Sequence, residues 1–232
     1  MERIGSQEKK YVNDILDNNL SYDIDKKYVN LFEKKFADTF NCKYGISAVN
    51  GTATMHAILE GMGIKDGDEV IVPALTMLST CLSVLQTNAL PVFADIDPDT
   101  FQISVESITK CITPRTKAIQ IVSLYGMPPE MDEIMELANK HNLYVIEDNA
   151  ECYLGYYKNK IVGSIGHASS FSLQNSKHLT SGEGGMILTN DINLAHNIRR
   201  FTILGYQSIG ELAPPNLTIQ DFPLPNFHRH VS

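Results

Sequence analysis

Hydrophobic residues recur at intervals of three and four along the first 40 residues of the chain. Two sets show this spacing, Val12, Ile15 and Leu16 in one and Val29, Phe32 and Phe36 in the other. Because an α-helix completes a turn every 3.6 residues, each set lies on one side of a helix. The pattern therefore predicts two amphipathic helices joined by residues 21–26.

After residue 40, short apolar runs alternate with stretches of helical pattern. Asn50 and Gly51 precede a run of good helix formers, which is typical of a loop that leads into a helix N-terminus. Glycine, proline or aspartate bounds each apolar run, and the runs lie at 70–74, 90–97, 116–126, 143–151, 164–174 and 184–191. Strands interleaved with helices predict an α/β fold with a mostly parallel central sheet flanked by helices.

The pattern also divides the chain into three parts. We expect an N-terminal helical segment at 1–40 and a large domain at 41–206. Residues 207–232 are expected to form an extended tail, because four of the ten prolines lie there and proline interrupts helices.

Composition and charge exclude several classes of protein. A chain of 232 residues with 43% hydrophobic residues can bury a core, which excludes global disorder. A net charge of −8, without a long run of lysine or arginine, argues against a nucleic-acid partner. We expect no membrane partner, because no signal peptide is recognised and no segment approaches the roughly 20 apolar residues of a membrane span. Four scattered cysteines without a C-x-x-C pair indicate reduced thiols in a cytoplasmic protein and no metal site.

Candidate catalytic and binding residues lie at the predicted carboxyl ends of the strands, where open α/β sheets bind ligands. Asp148 ends one apolar run, Ser172 ends another, and Gly51 begins a helix. Lys177 follows Ser172 in a polar, glycine-flanked stretch, where a surface lysine would be the ordinary interpretation. In a cleft, however, a partly desolvated lysine amine can form an imine with an aldehyde.

Pyridoxal 5′-phosphate is a cofactor that suits such a set of residues. A buried carboxylate requires a cationic partner, and Asp148 would meet one in a pyridinium nitrogen. Backbone amides of Gly51, Thr52 and Ala53 would face a phosphate from a helix N-terminus, and Lys177 would bind the aldehyde. The alternatives are structural, namely a helix-capping carboxylate at Asp148 and a solvated loop around Lys177.

Eight segments, taken together and in order, resemble the DegT/DnrJ/EryC1/StrS family of pyridoxal-phosphate aminotransferases, which act mostly on keto sugars attached to nucleotides. The segments are 50–56, 67–76, 91–100, 112–119, 124–134, 145–151, 162–172 and 176–191. The resemblance implies the large domain of aminotransferase fold type I, with the cofactor bound within 41–206. It also implies transfer of an amino group from an amino acid, with glutamate as the expected donor, to a nucleotide-linked keto-deoxy sugar.

The resemblance further implies a role for single residues. Lys177 matches the lysine that forms the internal aldimine, and Asp148 matches the partner of the pyridine nitrogen. Ser172 matches a serine that contacts the cofactor phosphate, and Thr52 and Ala53 match the loop that supplies backbone amides to it. In the alternative interpretation, the hydroxyls of Ser172 and Thr52 only stabilise a turn or a cap.

Two further positions also carry alternatives. Glu151 occupies a place where the family commonly has Gln, His or Glu near the phenolic oxygen of the cofactor, and a carboxylate at the rim would look the same. Met77 stands where an aromatic residue often stacks on the cofactor ring, and plain core packing is its alternative. Similar relatives that act as sugar 3-dehydratases have His in place of the lysine, so Lys177 favours transamination.

Family members are considerably longer than this chain, which stops about where a G-x-N-x-R segment and a C-terminal small domain would begin. We therefore expect the C-terminal small domain to be missing. A complete protein is expected to be a homodimer with its active sites at the two-fold interface, whereas the chain alone should dimerise poorly and hold the cofactor less tightly. Two other functions stay open: a non-catalytic remnant or partner subunit of this fold, and an aminotransferase for a cyclitol or another ketone.

Overall fold

The computed structural model describes residues 4–20, 22–203 and 205 of the chain. The tail predicted at 207–232 lies outside them. The helices are α1 (Ser6–Asp17), α2 (Tyr22–Thr39), α3 (Gly51–Gly61), α4 (Leu78–Gln86), α5 (Val105–Cys111), α6 (Met131–His141) and α7 (Ile192–Thr202). The strands are β1 (Tyr44–Ala48), β2 (Glu69–Pro73), β3 (Leu90–Ala94), β4 (Thr116–Val122), β5 (Tyr144–Asp148), β6 (Tyr156–Tyr157), β7 (Lys160–Ile161), β8 (Ala168–Ser172) and β9 (Gly185–Thr189). None of the described helices combines the length and the apolar character needed to cross a membrane.

Seven strands form one sheet in the order β1-β9-β8-β5-β4-β2-β3. The pairs β2–β3, β2–β4, β4–β5 and β5–β8 are parallel. β9 pairs antiparallel with both β1 and β8, and in the described part of the chain it is the one strand of this sheet that runs the opposite way. The prediction of a mostly parallel central sheet is confirmed. β6 and β7 form a separate antiparallel hairpin.

Helices cover both faces of the sheet. Val145 and Ile146 of β5 show the division, because successive residues of a strand point to opposite faces and both of these are fully buried. Ile146 belongs to a core cluster with Ile58 of α3 and Ile198 of α7. Val145 belongs to a second cluster that includes Ile134 of α6. Burial on both faces explains why the central strands appear in the sequence as continuous apolar runs.

The second N-terminal helix packs against the sheet, and its start differs from the prediction. α2 begins at Tyr22, so the predicted linker is wrong for residues 22–26, which lie in the helix. The rings of Phe36 and Phe40 are buried and contact Phe171 of β8, with ring centroids 5.1 and 4.6 Å apart. α2 is therefore part of the same packed core as the sheet.

The first N-terminal helix is not packed into the core in this way. α1 contains no buried residue, and Val12 and Leu16 from its predicted apolar side are 55% and 57% exposed. The amphipathic pattern thus predicts the helix correctly, but the described part of the chain places no core against it.

A partly buried ion pair between Glu33 and Arg199 fixes α2 to β1 and α7. Oε1 of Glu33 accepts hydrogen bonds from the amide and hydroxyl of Ser47 at 2.7 and 2.8 Å and from Nη1 of Arg199 at 2.8 Å. Nη2 of Arg199 donates to the carbonyl of Gly45 at 3.3 Å. A Cβ atom on Gly45 would lie 2.5 Å from the carbonyl oxygen of Glu33, so glycine is what allows α2 to approach β1 so closely.

Candidate active site

The predicted site segments meet at one edge of the sheet. β5 ends at Asp148 and β8 ends at Ser172, and these two strands are neighbours, with Asp148 opposite Ser170. α3 follows β1, and its first residue, Gly51, lies against Ser172. Lys177 lies in the loop between β8 and β9. The fold therefore brings the carboxylate, the helix N-terminus and the lysine loop together at the carboxyl ends of the strands.

The N-terminus of α3 forms a close-fitting cradle against β8. Asn50 caps the helix, and its Oδ1 accepts a hydrogen bond from the amide of Ala53 at 2.8 Å. The sequence predicts a free amide at Ala53, but the side chain of Asn50 occupies it. The amides of Gly51 and Thr52 have no acceptor within the helix. A Cβ atom on Gly51 would lie 2.9 Å from the Cβ of Ser172. Free amides at a helix N-terminus attract an anion, and glycine allows this N-terminus to lie directly against Ser172.

Buried hydroxyls beneath this cradle fix α3 to β8. Oγ1 of Thr54 and Oγ of Ser170 lie 2.5 Å apart, and both side chains are fully buried. Thr54 also donates to the carbonyl of Gly51 at 2.6 Å. On the side of β9, a Cβ atom on Gly185 would lie 2.6 Å from the carbonyl oxygen of Asn50. The first turn of α3 is held between two strands, which fixes the direction of its amides.

Asp148 is a buried carboxylate with few partners. It is 3% exposed, and it accepts hydrogen bonds from the amide of Ala150 at 3.2 Å and from Oγ1 of Thr80 at 3.3 Å. Desolvation raises the pKa of Asp148 from 3.8 to about 6, although the two hydrogen bonds and the charge of Lys177 lower it, and the charge of Glu151 raises it. Because burial disfavours an unpaired negative charge, this position favours a cation beside the carboxylate.

Lys177 lies on a loop whose backbone is held by hydrogen bonds. Its amide donates to the carbonyl of Gln174 at 2.9 Å, and Oγ1 of Thr180 donates to the carbonyl of Leu173 at 2.9 Å. The lysine is half-buried, and its charge lowers the pKa of Asp148. Lys177 thus lies close enough to Asp148 for its charge to act on that carboxylate.

Glu151 contacts the backbone of the loop that follows β4. Its Oε2 accepts a hydrogen bond from the amide of Tyr125 at 2.9 Å. Tyr125 has a left-handed backbone conformation, with φ 55° and ψ 23°. Such a conformation costs roughly 1–3 kcal/mol in a residue other than glycine, so the surroundings must hold it in place.

Met77 occupies the N-cap position of α4, with 72% of the residue exposed. Among the described residues Met77 therefore does not pack into the core, and its thioether lies at the surface. Thr76 precedes it, and the hydroxyls of Thr76 and Thr80 lie 2.8 Å apart. Thr80 links this helix start to Asp148.

Sequence reasoning missed Thr80 and Tyr125. The available signal for Thr80 was a threonine four residues after Thr76, a spacing that places both side chains on one side of a helix. Tyr125 had no signal, because its contact with Glu151 joins two loops that are 26 positions apart.

Comparisons with known proteins agree with this geometry. Residues 2–213 match the model of the DegT/DnrJ/EryC1/StrS aminotransferase family. The GDP-perosamine synthase of Escherichia coli O157:H7 is 46% identical over 190 residues, which are 81% of this chain and 51% of that protein. The chain thus spans about half the length of the curated relatives it matches.

Solved structures share the fold. The aminotransferase from Psychrobacter cryohalolentis has a TM-score of 0.84 at 40% identity, covering 88% of this chain and 52% of that one. A GDP-4-keto-6-deoxymannose-3-dehydratase with a trapped PLP-glutamate geminal diamine has a TM-score of 0.81 at 30% identity, covering 89% of this chain and 54% of that one. These neighbours confirm the predicted large domain of aminotransferase fold type I. Because the family model covers most of the residues, the chain belongs to the DegT/DnrJ/EryC1/StrS aminotransferase family.

Proposed function

We propose that the protein containing this chain is a pyridoxal 5′-phosphate-dependent aminotransferase that moves an amino group from glutamate to a nucleotide-linked keto-deoxy sugar. The observation that carries the proposal is the buried Asp148 beside Lys177, at the sheet edge that also holds the α3 cradle. Family membership supports the reaction class. The names of the perosamine synthase and the dehydratase, which both specify GDP sugars, support the acceptor, and the glutamate trapped in the dehydratase supports the donor.

The chain's own residues fit the cofactor. The amides of Gly51 and Thr52, with the hydroxyl of Ser172, would bind a phosphate group at the N-terminus of α3, where Gly51 packs directly against Ser172. Asp148 would accept a hydrogen bond from a protonated pyridine nitrogen, and this cation would lower the raised pKa of the carboxyl. Met77 has an exposed thioether that would contact the ring. When bound, the cofactor supplies an electron sink for the carbon that loses or gains a proton.

Lys177 has two roles in this proposal. Its amine would bind the cofactor aldehyde, and after release it would move the proton between donor or acceptor carbon and cofactor as a general base and acid. The hydrogen-bonded loop around Gln174 and Thr180 holds the backbone of this residue, so the amine can move while its attachment point stays fixed. Asp148 would keep its charge and hold a proton at the ring nitrogen.

Reductive labelling tests the proposal without depending on turnover. The full-length protein is incubated with pyridoxal 5′-phosphate, reduced with borohydride and digested, and the labelled peptide is identified by mass. The wild-type protein should carry the label on Lys177, and Lys177→Ala should lose it. Lys117→Ala, at an exposed position of β4, is the matched control and should keep it. A label elsewhere, or none, would contradict the proposal.

A second measurement addresses the acceptor. Amino transfer from glutamate is followed with nucleotide-linked keto sugars and with a cyclitol ketone as the competing acceptor. Preference for the cyclitol ketone would replace the proposed substrate class. Labelling at Lys177 without transfer to any acceptor would favour the non-catalytic alternative.

We also propose that the protein acts as a cytoplasmic homodimer. All four cysteines are free thiols, which suits a reducing compartment. Leu78, Leu82 and Leu85 lie on one side of α4 and are 65%, 41% and 50% exposed. This apolar side continues from Met77 at the candidate site, so a second copy that covered it would lie beside the cofactor.

A further inference from the structure

The loop after β4 presents a tyrosine whose backbone is held firmly while its ring is free. Tyr125 is 76% exposed, although Ser123 and Gly126 on either side of it contact β5 and the loop that follows it. The amide of Ser123 donates to the carbonyl of Asp148 at 3.0 Å, and the hydroxyl of Ser123 donates to Oδ1 of Asn149 at 2.8 Å. Sγ of Cys152 donates to the carbonyl of Gly126 at 3.4 Å. The loop is thus joined to the strand that ends in the candidate catalytic carboxylate.

Glu151 completes this framework. Its carboxylate accepts the amide hydrogen of Tyr125, which is the residue with the unfavourable left-handed conformation. Nε2 of Gln102 donates to the carbonyl of Leu124 at 3.1 Å from the other side of the loop. A strained residue persists only where its surroundings hold it, and such strain is concentrated at functional sites. The residue held in this way has its large aromatic side chain outside the core.

We infer that Tyr125 is a specificity-determining residue for the carbohydrate acceptor and that Glu151 is the positioning residue that holds it. The inference rests on the proposed function and deepens it. An exposed aromatic face with one hydroxyl suits the C–H face and hydroxyl groups of a sugar ring. An amino acid donor with two carboxylates would instead require cationic groups or several N–H donors, which a tyrosine does not offer.

This assignment changes the interpretation of Glu151. The family resemblance places residue 151 near the phenolic oxygen of the cofactor, whereas the structure shows its Oε2 engaged with a loop backbone. The two carboxylate oxygens allow both contacts. Loss of the carboxylate should therefore affect acceptor binding through Tyr125, in addition to any effect on the cofactor.

The test measures two half-reactions of the full-length protein separately. In the donor half-reaction the amino acid gives up its amino group, and in the acceptor half-reaction the sugar receives it. Tyr125→Gly removes the ring and tolerates the left-handed conformation, so it keeps the backbone of the loop. We expect the acceptor concentration at half-maximal rate to rise about tenfold, the size of one lost aromatic contact, with the loss concentrated in the acceptor half-reaction. Tyr125→Phe should lie between wild type and Tyr125→Gly. Tyr156→Ala, at a 63% exposed tyrosine of the β6–β7 hairpin, is the control and should change neither half-reaction.

Glu151 is tested through its coupling to Tyr125. Glu151→Ala should weaken acceptor binding, and Glu151→Gln, which keeps an oxygen acceptor, should restore most of it. In the double variant with Tyr125→Gly, the loss of Glu151 should add little in the acceptor half-reaction, because both changes remove the same contact. Hydrogen exchange of the 123–127 peptide gives a readout that does not depend on activity, and it should accelerate in Glu151→Ala.

Three outcomes would overturn the inference. One is an equal loss in both half-reactions of Tyr125→Gly, and another is an unchanged acceptor half-reaction. The third is full additivity of the two variants. If the wild-type protein lacks the donor half-reaction, the proposed function itself fails, and this result is distinguishable from the other three.

Discussion

Replacement of Asp148 by asparagine should stabilise the cofactor-free protein while it impairs function. Asp148→Asn removes a charge from a site where the carboxylate is 3% exposed. Asparagine keeps an oxygen for the amide of Ala150, and the hydroxyl of Thr80 can reverse its hydrogen bond to accept from the new amide. The change therefore preserves shape and hydrogen bonds and alters mainly the charge.

The size of the effect follows from the pKa of Asp148. Desolvation raises this pKa from 3.8 in the unfolded chain to about 6 in the folded one. Between these values the folded state binds the proton that the unfolded state has released, so stability falls as pH rises. Above pH 6 both states are ionised and the full penalty applies, about 3 kcal/mol at 1.36 kcal/mol per pH unit. Asp148→Asn should thus match wild type below about pH 4 and exceed it by about 3 kcal/mol at pH 8.

Urea unfolding of the two cofactor-free proteins over this pH range measures the difference directly. Other ionisable groups contribute equally to both proteins and cancel. Glu147→Gln is the matched control on the same strand. Glu147 is also fully buried, but its carboxylate accepts hydrogen bonds from the amides of Gly163, Ile165 and Gly166. Its replacement should destabilise the protein, since one amide oxygen cannot satisfy three donors.

Two results would refute this reasoning. The first is a stability difference between Asp148→Asn and wild type that stays constant with pH, which would show that Asp148 has an ordinary pKa. The second is an unchanged rate of the donor half-reaction in Asp148→Asn, because the carboxylate would then have no part in holding the pyridine nitrogen protonated.

The remaining predictions concern the α3 cradle and the α4 surface. Gly51→Ala places a Cβ 2.9 Å from the Cβ of Ser172, so it should weaken binding of pyridoxal 5′-phosphate at least about tenfold through overpacking. Pyridoxal, which lacks the phosphate, should bind both proteins alike, and an equal loss for the two ligands in titrations would contradict the cradle. Leu82→Glu on α4 should shift the full-length protein toward monomer in sedimentation velocity, whereas Leu154→Glu, at a residue 55% exposed in a loop, should not. A dimer unaffected by Leu82→Glu would exclude this side of α4 as the interface.

The apolar runs in the sequence predict most strands of the sheet, and the features that they do not predict have physical reasons. β1 escaped the sequence pattern because it contains Gly45, which weakens a strand signal but is needed where α2 approaches. The direction of β9 was also not predictable, since a short buried run has the same composition in a parallel and an antiparallel strand. The predicted linker failed at residues 22–26 because a mostly polar stretch resembles a loop, although it also suits the first turn of a helix.

In the candidate site, too, the sequence predicts some features and not others. Asp148 was predictable because a polar residue that ends a buried apolar run lies at the ligand edge of an α/β sheet. The occupied amide of Ala53 was not, because the orientation of the Asn50 side chain decides it. The contact between Glu151 and Tyr125 depends on two loops meeting in space, which periodicity does not encode. Sequence patterns locate the edge, and tertiary contacts determine which atoms remain free there.

The position of β9 late in the chain determines when the sheet can be completed during synthesis of the protein. Tyr44 of β1 pairs with Thr189 of β9, about 145 residues later in the chain. At roughly 5–20 residues per second, a ribosome takes on the order of ten seconds to deliver that partner. During this interval β1 has no neighbour in the sheet, and α3, which β9 holds on one side through Gly185, is incompletely supported. The nascent chain therefore presents an unpaired strand edge that chaperones would need to shield, and cofactor capture has to wait until β9 has left the ribosome.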